Sequence, residues 1–178
     1  MSKNAAKIIM LLAPVAFLLS SCSAFRSVDS TAGSRGQSSK SPSSTTDLRT
    51  QVASYAKELR GVKYKYAGQS PRSGFDCSGF TSYVLQRFKV SIPRSSSAQA
   101  SAGKKISLSK SRPGDLVFFS KRGRGKVSHV AIVVENRRRD GLIVAHSTSS
   151  RGVIIENVSS SSYWKPKMLF ARDVIGNR

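Results

Sequence analysis

The chain has 178 residues, and its 30 Lys and Arg outweigh nine Asp and Glu to give a net charge of +21 at pH 7. This length predicts one folded domain of about 130 residues once the N-terminal quarter is set aside. A charge of this size favours polyanionic partners, but no aromatic residues are interleaved with the basic clusters, which argues against a nucleic-acid binder.

The first predicted element is a signal peptide over residues 1–21. Two basic residues, Lys3 and Lys7, precede an apolar stretch from Ile8 to Leu19. At 12 residues this stretch is too short to span a bilayer, and small residues follow it, as they do at a signal-peptide cleavage site. The sequence therefore predicts export.

The junction Leu19-Ser20-Ser21-Cys22 resembles the lipobox at which bacterial lipoproteins are cleaved and acylated on the cysteine. An ordinary signal peptide followed by a chance cysteine is the alternative. Several acyl chains on Cys22 would anchor the protein stably in a membrane. Ser23 stands where lipoproteins retained at the inner membrane commonly have aspartate, so we expect the outer membrane, facing the periplasm. There a basic protein is expected to meet anionic peptidoglycan and lipid phosphates, and no nucleic acid.

Residues 22–46 are predicted to be the lipidated cysteine and a flexible tether rich in Ser, Thr, Gly and Lys. Such a segment buries too little apolar surface to offset the entropy of ordering it. The folded domain is expected over residues 47–178, as a monomer.

The predicted domain begins with helices and continues with strands. Apolar residues at helical spacing, with Asp76 as an N-cap, predict the helices, and short β-branched runs between turn residues predict the strands. The helices are Asp47–Arg60, Cys77–Phe88 and Ser95–Ala102, and the strands are Asp115–Ser120, Val127–Glu135, Leu142–His146, Gly152–Val158 and Met168–Val174. This order predicts an α+β fold in which N-terminal helices pack on an antiparallel sheet.

Cys77 is the thiol that remains for chemistry once Cys22 is acylated. At the start of a helix, it would feel a partial positive charge and free backbone N–H groups, which favour the thiolate and bind an oxyanion. A buried, inert cysteine is the usual alternative for a lone thiol. Gly79, two residues on, would let a substrate backbone approach closely.

The chain has two histidines, His129 and His146, each at one end of a predicted strand. An imidazole beside a thiol takes its proton, so the three residues suggest a Cys-His-His set, although a histidine at a strand end is often only a core residue. If the strands pair so that residue i faces residue 277 minus i, the histidines lie diagonally within about 8 Å. A tight Asp140-Gly141 turn would instead pair His146 with Glu135 and move His129 about 20 Å away. The sequence leaves both registers open.

Six ordered motifs, spread over Leu48 to Val174, resemble those of the NlpC/P60 cysteine peptidases. They are Tyr64-x-x-x-Gly68, Gly74-Phe-Asp-Cys-Ser-Gly-Phe80, Ile92-Pro-Arg-Ser95, Arg112-Pro-Gly-Asp-Leu-Val-Phe-Phe119, Ser128-His-Val-Ala-Ile-Val-Val134 and Ala145-His-Ser-Thr-Ser-Ser150. The stretches around Ser147 to Ile155 and Tyr163-Trp-Lys165 resemble the Spr/MepS-type lipoprotein murein endopeptidases within that family. The resemblance implies a permuted papain-like fold and hydrolysis of amide bonds in peptidoglycan stem peptides, either at cross-links or at γ-D-glutamyl-diamino acid bonds.

The resemblance also implies roles for single residues. Cys77 is the expected nucleophile, His129 the general base and later the acid, and His146 the third, polar member that fixes the imidazole of His129. Tyr64 matches the family tyrosine near the oxyanion, with Tyr66 as an alternative match. Asp76 and Ser78 match positions that often contact substrate. For Asp76, N-capping of the helix is an equally good explanation.

Two departures and two alternatives accompany the resemblance. Ala67 replaces the first of two usual glycines, and Arg137 to Arg139 form a basic insertion between the histidines. A wall-binding lipoprotein without catalysis is one alternative function, although an intact Cys-His-His set argues against it. An amidase or transacylase on the same fold is the other. No metal-ligand spacing is present, so neither metal nor cofactor is expected.

Overall fold

The computed structural model describes residues 45–137 and 141–176. The predicted signal peptide, Cys22 and nearly all of the predicted tether lie outside these residues, as do Arg138 and Arg139 of the basic insertion. Within the described ranges, no helix is long and apolar enough to cross a membrane.

Helices precede the main sheet in the chain. They are α1 (Thr45–Glu58), α2 (Cys77–Arg87) and α3 (Ser96–Gln99), with a two-stranded ribbon, β1 (Gln69–Ser70) and β2 (Gly74–Phe75), between α1 and α2. The remaining strands are β3 (Lys104–Ile106), β4 (Leu116–Ser120), β5 (Val127–Arg137), β6 (Gly141–Thr148), β7 (Gly152–Asn157) and β8 (Met168–Asp173). Two short 3₁₀ turns cover Leu108–Lys110 and Lys165–Lys167. The predicted α+β class is confirmed, and helix and strand ends fall within two residues of the predictions, except that α3 ends at Gln99, three residues before the predicted end at Ala102.

The described strands β3 to β8 form one antiparallel sheet in the order β3-β8-β4-β5-β6-β7. Strand β4 is buried along its whole length, because both faces of the sheet are covered. Leu116 and Phe118 face the helices and pack with Val52, Phe80 and other core residues, while Val117 and Phe119 face a second cluster that includes Trp164. The β-branched and aromatic run of β4 therefore fits the centre of a sheet.

Strand β3 was absent from the predicted elements. It is a three-residue edge strand, Lys104-Lys105-Ile106, that pairs with β8. Its lysines gave no period-2 apolar signal, but lysine on an edge strand discourages pairing with another chain. One of the basic clusters is therefore part of the sheet.

A buried ion-pair network ties α1 to the residue before β4 and to the last residue of β8. The Arg49 guanidinium is 4 % exposed and pairs with Asp115 and Asp173, and Arg112 adds a second cation to Asp173. Removing one member of a buried network typically costs about 3–5 kcal/mol, because the remaining charge loses its partner. Arg49 thus fixes helix α1 against the end of the sheet away from the histidines.

Candidate active site

Cys77 is the first residue of α2, and Asp76 caps the helix before it. The Asp76 Oδ1 accepts a hydrogen bond of 2.6 Å from the Gly79 N–H, with extended backbone at Asp76. Burial raises the pKa of the Cys77 thiol, and the nearby N–H groups of Val130, Ser78 and Cys77 itself oppose that rise without cancelling it. The helix-terminal N–H groups lower the pKa of the thiol, as expected from the sequence, but desolvation is the larger effect. The resting thiol is therefore protonated, and the expected thiolate is not favoured.

Arg94 binds both residues that flank the thiol. Its guanidinium donates to the two carboxylate oxygens of Asp76 at 2.8 and 3.0 Å and to Ser78 Oγ at 2.9 Å. Burial would raise the pKa of Asp76, but the hydrogen bonds from Arg94, Gly79 and Ser78 lower it overall. Asp76 and Ser78 therefore have internal partners, and neither lines the cleft in front of Cys77. Their contact with substrate stays a prediction.

The backbone that approaches Gly79 belongs to the protein itself. A Cβ on Gly79 would lie 2.0 Å from the carbonyl oxygen of Gly68, so a side chain there would collide with the loop before β1. The same carbonyl accepts hydrogen bonds from the N–H of Asp76 and from Arg94. The expectation that Gly79 makes room for substrate is wrong. The glycine instead lets the Tyr64–Gly68 loop lie on the start of α2.

That loop places Tyr64, and not Tyr66, in the cleft. Tyr64 lines the cleft with Cys77, whereas Tyr66 is 85 % exposed. Burial raises the pKa of the Tyr64 hydroxyl, and the neighbouring Cys77 and Asp76 add to the rise. Ala67 has a φ of +55°, a left-handed conformation that glycine adopts more readily, which explains why a glycine is usual at this position.

The two histidines come from neighbouring strands and meet through their side chains. In β5 and β6, Ile132 faces Ala145 and Val133 faces Val144, which confirms the wide-loop register next to the site, while a bulge shifts the pairing further out. The Nε2 atom of His129 lies 2.9 Å from the Nδ1 atom of His146. The tight-turn register, which would have separated the histidines, is wrong.

Aromatic rings surround this imidazole pair. The Trp164 ring stacks on His129 at 4.7 Å between centroids and contacts His146 edge-on at 5.0 Å, and Phe119 packs on His129 from β4. Desolvation lowers the pKa of His129 to about 3, with His146 as a second cause. His146 is fully buried, and desolvation lowers its pKa in spite of a neighbouring carboxylate. Both imidazoles are therefore neutral at pH 7.

The neighbouring carboxylate is Glu156 on β7. Its Oε1 lies 2.7 Å from His146 Nε2, and Arg151 pairs with the same carboxylate at 3.2 Å. Because an ionised carboxylate only accepts hydrogen bonds, His146 Nε2 carries its proton and Nδ1 is left as an acceptor. His129 Nε2 then donates to that acceptor, which leaves Nδ1 of His129 with the lone pair that a general base needs.

These residues surround a cleft of about 510 Å³. Of the residues predicted from the sequence, Cys77, His129 and Tyr64 line it, and His146 is buried directly behind His129. Asp76 and Ser78 do not line it, because Asp76 caps α2, Ser78 is the second residue of that helix, and both side chains bind Arg94. Sequence reasoning missed Glu156, Arg94 and Trp164. Glu156 could have been found from the sequence, because it is the one acidic residue of the predicted strand Gly152–Val158, which follows the strand of His146 in the chain.

No metal site accompanies the thiol in the part of the chain that the structure describes, where no group of three or more His, Cys, Asp or Glu side chains is placed to hold an ion. The side chains of the cleft supply a thiol, a neutral base with a fixed tautomer and helix-terminal N–H groups. This set is suited to attack on an acyl carbon through sulfur.

The fold and the site together define a class, the α+β proteins that set a helix-terminal thiol against histidines on an antiparallel sheet. The sequence pattern of the NlpC/P60 family matches residues 61–173, and the chain belongs to that family. It is 41 % identical over 125 residues to the gamma-DL-glutamyl hydrolase of Bacillus subtilis, covering 69 % of this chain and 29 % of that protein. It is 34 % identical over 130 residues to the murein DD-endopeptidase MepS/murein LD-carboxypeptidase of Escherichia coli, covering 72 % and 64 %. The chain thus spans less than two thirds of these relatives.

Solved structures agree with the family assignment. An NlpC/P60 family protein from Bacillus cereus superposes with a TM-score of 0.64 at 30 % identity, covering 74 % of this chain and 43 % of its own. The NlpC/p60 domain of the peptidoglycan hydrolase SagA superposes with a TM-score of 0.58 at 32 % identity, covering 70 % of this chain and 97 % of that domain. Nearly the whole of that solved domain is therefore represented here.

Proposed function

We propose that this protein is a cell-wall cysteine peptidase that hydrolyses amide bonds in peptidoglycan stem peptides through Cys77. The observation that carries the proposal is the ordered set from Glu156 through His146 to His129, in one cleft with a thiol at a helix N-terminus. Membership of the NlpC/P60 family supports it, as do the activities of the two relatives, one a gamma-DL-glutamyl hydrolase and the other a murein DD-endopeptidase and LD-carboxypeptidase.

The chemistry follows from the protonation states of the resting site. The Cys77 thiol passes its proton to His129 Nδ1 as the sulfur attacks the carbonyl carbon, and the N–H groups of Cys77 and Ser78 stabilise the oxyanion. The tetrahedral intermediate collapses, and the amine leaves with the proton from His129. Water then gives a proton to His129 and attacks the thioester, which releases the acid and restores the thiol. His146 and Glu156 stabilise the charge that His129 carries in between.

The experiment is digestion of purified peptidoglycan, with the released fragments identified by mass spectrometry. New amino and carboxyl ends within stem peptides are expected from the wild type, and the Cys77→Ser variant should release none. The fragment masses also decide between cross-link cleavage and γ-D-glutamyl cleavage. Binding without new ends would contradict the proposal and support the wall-binding alternative. Fragments cut only in the glycan would also contradict the proposal.

We further propose that the protein is a lipoprotein anchored through Cys22, facing the periplasm from the outer membrane, and acts as a monomer. The support is the sequence Leu19-Ser20-Ser21-Cys22 and the serine at position 23. Metabolic labelling with a fatty acid should mark the wild type and not the Cys22→Ala variant, and the variant should no longer sediment with outer membranes. Unchanged labelling or sedimentation of the variant would contradict the anchor, and light scattering tests the oligomeric state.

A further inference from the structure

The cleft in front of Cys77 has a strong excess of positive charge. Lys121, Arg151 and Lys167 line it, against the single carboxylate of Glu156. Glu156 is already bound to His146 and Arg151. Among the described residues, Lys121 and Lys167 have no carboxylate partner, so two ammonium groups at the cleft are left for a ligand.

The two lysines are brought to the cleft by segments that touch each other. Lys121 begins the loop between β4 and β5, and Lys167 ends the 3₁₀ turn before β8. Gly123 in that loop has a φ of +72°, and a Cβ on it would lie 2.1 Å from the carbonyl oxygen of Pro166. The loop therefore lies directly on the turn. We call Lys121 and Lys167 the basic wall of the cleft.

Lys167 is held in place more firmly than most surface lysines. Its side chain is partly buried, and its Nζ lies 2.9 Å from the centroid of the Tyr163 ring. Tyr163 packs edge-on against Trp164, which in turn stacks on His129. A cation ordered in this way loses less entropy when it binds an anion. The rings of Tyr163 and Trp164 connect it to the imidazole of His129.

We propose that the basic wall is a carboxylate-binding subsite, so that the preferred substrates are peptides with free carboxylates near the scissile amide. Charge-assisted hydrogen bonds from ammonium groups to carboxylates are stronger than neutral ones, and they discriminate against a carboxamide of the same shape. This inference rests on the proposed peptidase function and specifies its substrate class. The hydroxyls of Ser149 and Ser150 on the same cleft add donors but no charge, whereas those of Ser147 and Thr148 already donate to the carbonyl oxygens of Phe75 and Gly152.

Binding tests the inference without turnover, because Trp164 is the only tryptophan of the chain and lines the cleft. In a Cys77→Ser background, Trp164 fluorescence gives the Kd of the tripeptide L-alanyl-γ-D-glutamyl-diaminopimelic acid and of an analogue with its carboxylates converted to carboxamides. The free acid should bind about tenfold or more tighter. Changing the basic wall to Lys121→Gln/Lys167→Gln should remove most of that difference.

Two matched variants separate the site from net charge and from folding. Lys104→Gln/Lys110→Gln removes the same charge from exposed positions and should keep the full preference, and Lys121→Arg/Lys167→Arg should retain it too. Equal Kd values for the two peptides, no binding of the free acid, or a preference that survives Lys121→Gln/Lys167→Gln would each overturn the inference. Turnover by the wild type is measured separately. Cleavage without carboxylate preference refutes the subsite alone, whereas binding with preference but without cleavage refutes the peptidase.

Discussion

The two sides of the cleft are built on the same pairing, a carboxylate held by an arginine, but they use it differently. On the thiol side Asp76 pairs with Arg94 and its carboxylate accepts a backbone N–H of α2. On the imidazole side Glu156 pairs with Arg151 and accepts a hydrogen bond from the protonated Nε2 atom of His146. The first carboxylate fixes the backbone position, and the second fixes where protons reside. Substitutions of the two carboxylates should therefore have different effects, that of Asp76 mainly on helix geometry and that of Glu156 on catalysis.

The largest effect is expected on the thiol side, from Cys77→Ser. Oxygen replaces sulfur at nearly the same volume, but the hydroxyl is a far weaker acid than the thiol and His129 does not activate it well. Activity should fall on the order of 10⁴-fold or more, as for other catalytic nucleophiles. Peptide hydrolysis is the assay and unfolding by urea is the control. Substantial turnover by a folded serine variant would refute Cys77 as the nucleophile.

The two histidines should differ in their effects. His129→Ala removes the group that takes the thiol proton, and nearly all activity should be lost. His146→Asn keeps a polar group opposite His129 Nε2, so measurable turnover should remain. The ratio of the two kcat/KM values is the measurement. If His146→Asn is folded and as inactive as His129→Ala, His146 takes part in proton transfer directly. Wild-type rates for both variants would refute the Cys-His-His site.

Glu156→Gln should have a smaller but definite effect. The amide is isosteric with the carboxylate but lacks the charge that stabilises a protonated imidazole pair, and it also weakens the contact with Arg151. We expect a fall in kcat of about 10- to 100-fold with little change in KM. Glu135→Gln is the matched control, because Glu135 also pairs with an arginine but is remote from the cleft. Equal effects of the two variants would reduce Glu156 to a structural residue.

Acid should destabilise the two sides in different pH windows. The imidazoles have folded pKa values lowered by burial from 6.5, that of His129 to about 3, so the unfolded chain binds more protons and stability falls as the pH drops from about 6.5. The pKa of Asp76 is lowered from 3.8, so its contribution is lost only below that value. Urea unfolding at several pH values tests this. His129→Ala combined with His146→Asn should flatten the upper window, and an unchanged slope would contradict the buried neutral pair.

The sequence was more informative about the thiol side because that side is local. Asp76, Cys77 and Ser78 are consecutive, and an N-cap before an apolar helix is a pattern visible in the sequence. The imidazole side depends on strand register, and the sequence left two registers open for the hairpin that joins β5 to β6. A bulge beyond Val133 shows why no single pairing rule described it.

Residues recruited from distant parts of the chain were not visible in the sequence. Arg94 reaches Asp76 across 18 residues, and Trp164 covers His129 from 35 residues further on, positions set by the packing of the whole fold. The predicted helices and strands were largely right because their apolar periods are strong. The lysine-rich edge strand β3 was missed because it has no such period.

The central claim is that hydrogen bonding from Glu156 fixes the tautomers of both histidines and leaves Nδ1 of His129 as the base. Imidazole nitrogen chemical shifts of histidine-labelled protein measure this directly, and the two histidines of the chain give two ring systems, which the His146→Asn variant assigns. At neutral pH we predict both rings to be neutral, protonated on Nε2 and unprotonated on Nδ1. A proton on Nδ1 of His129, or a charged ring at either position, would contradict the account.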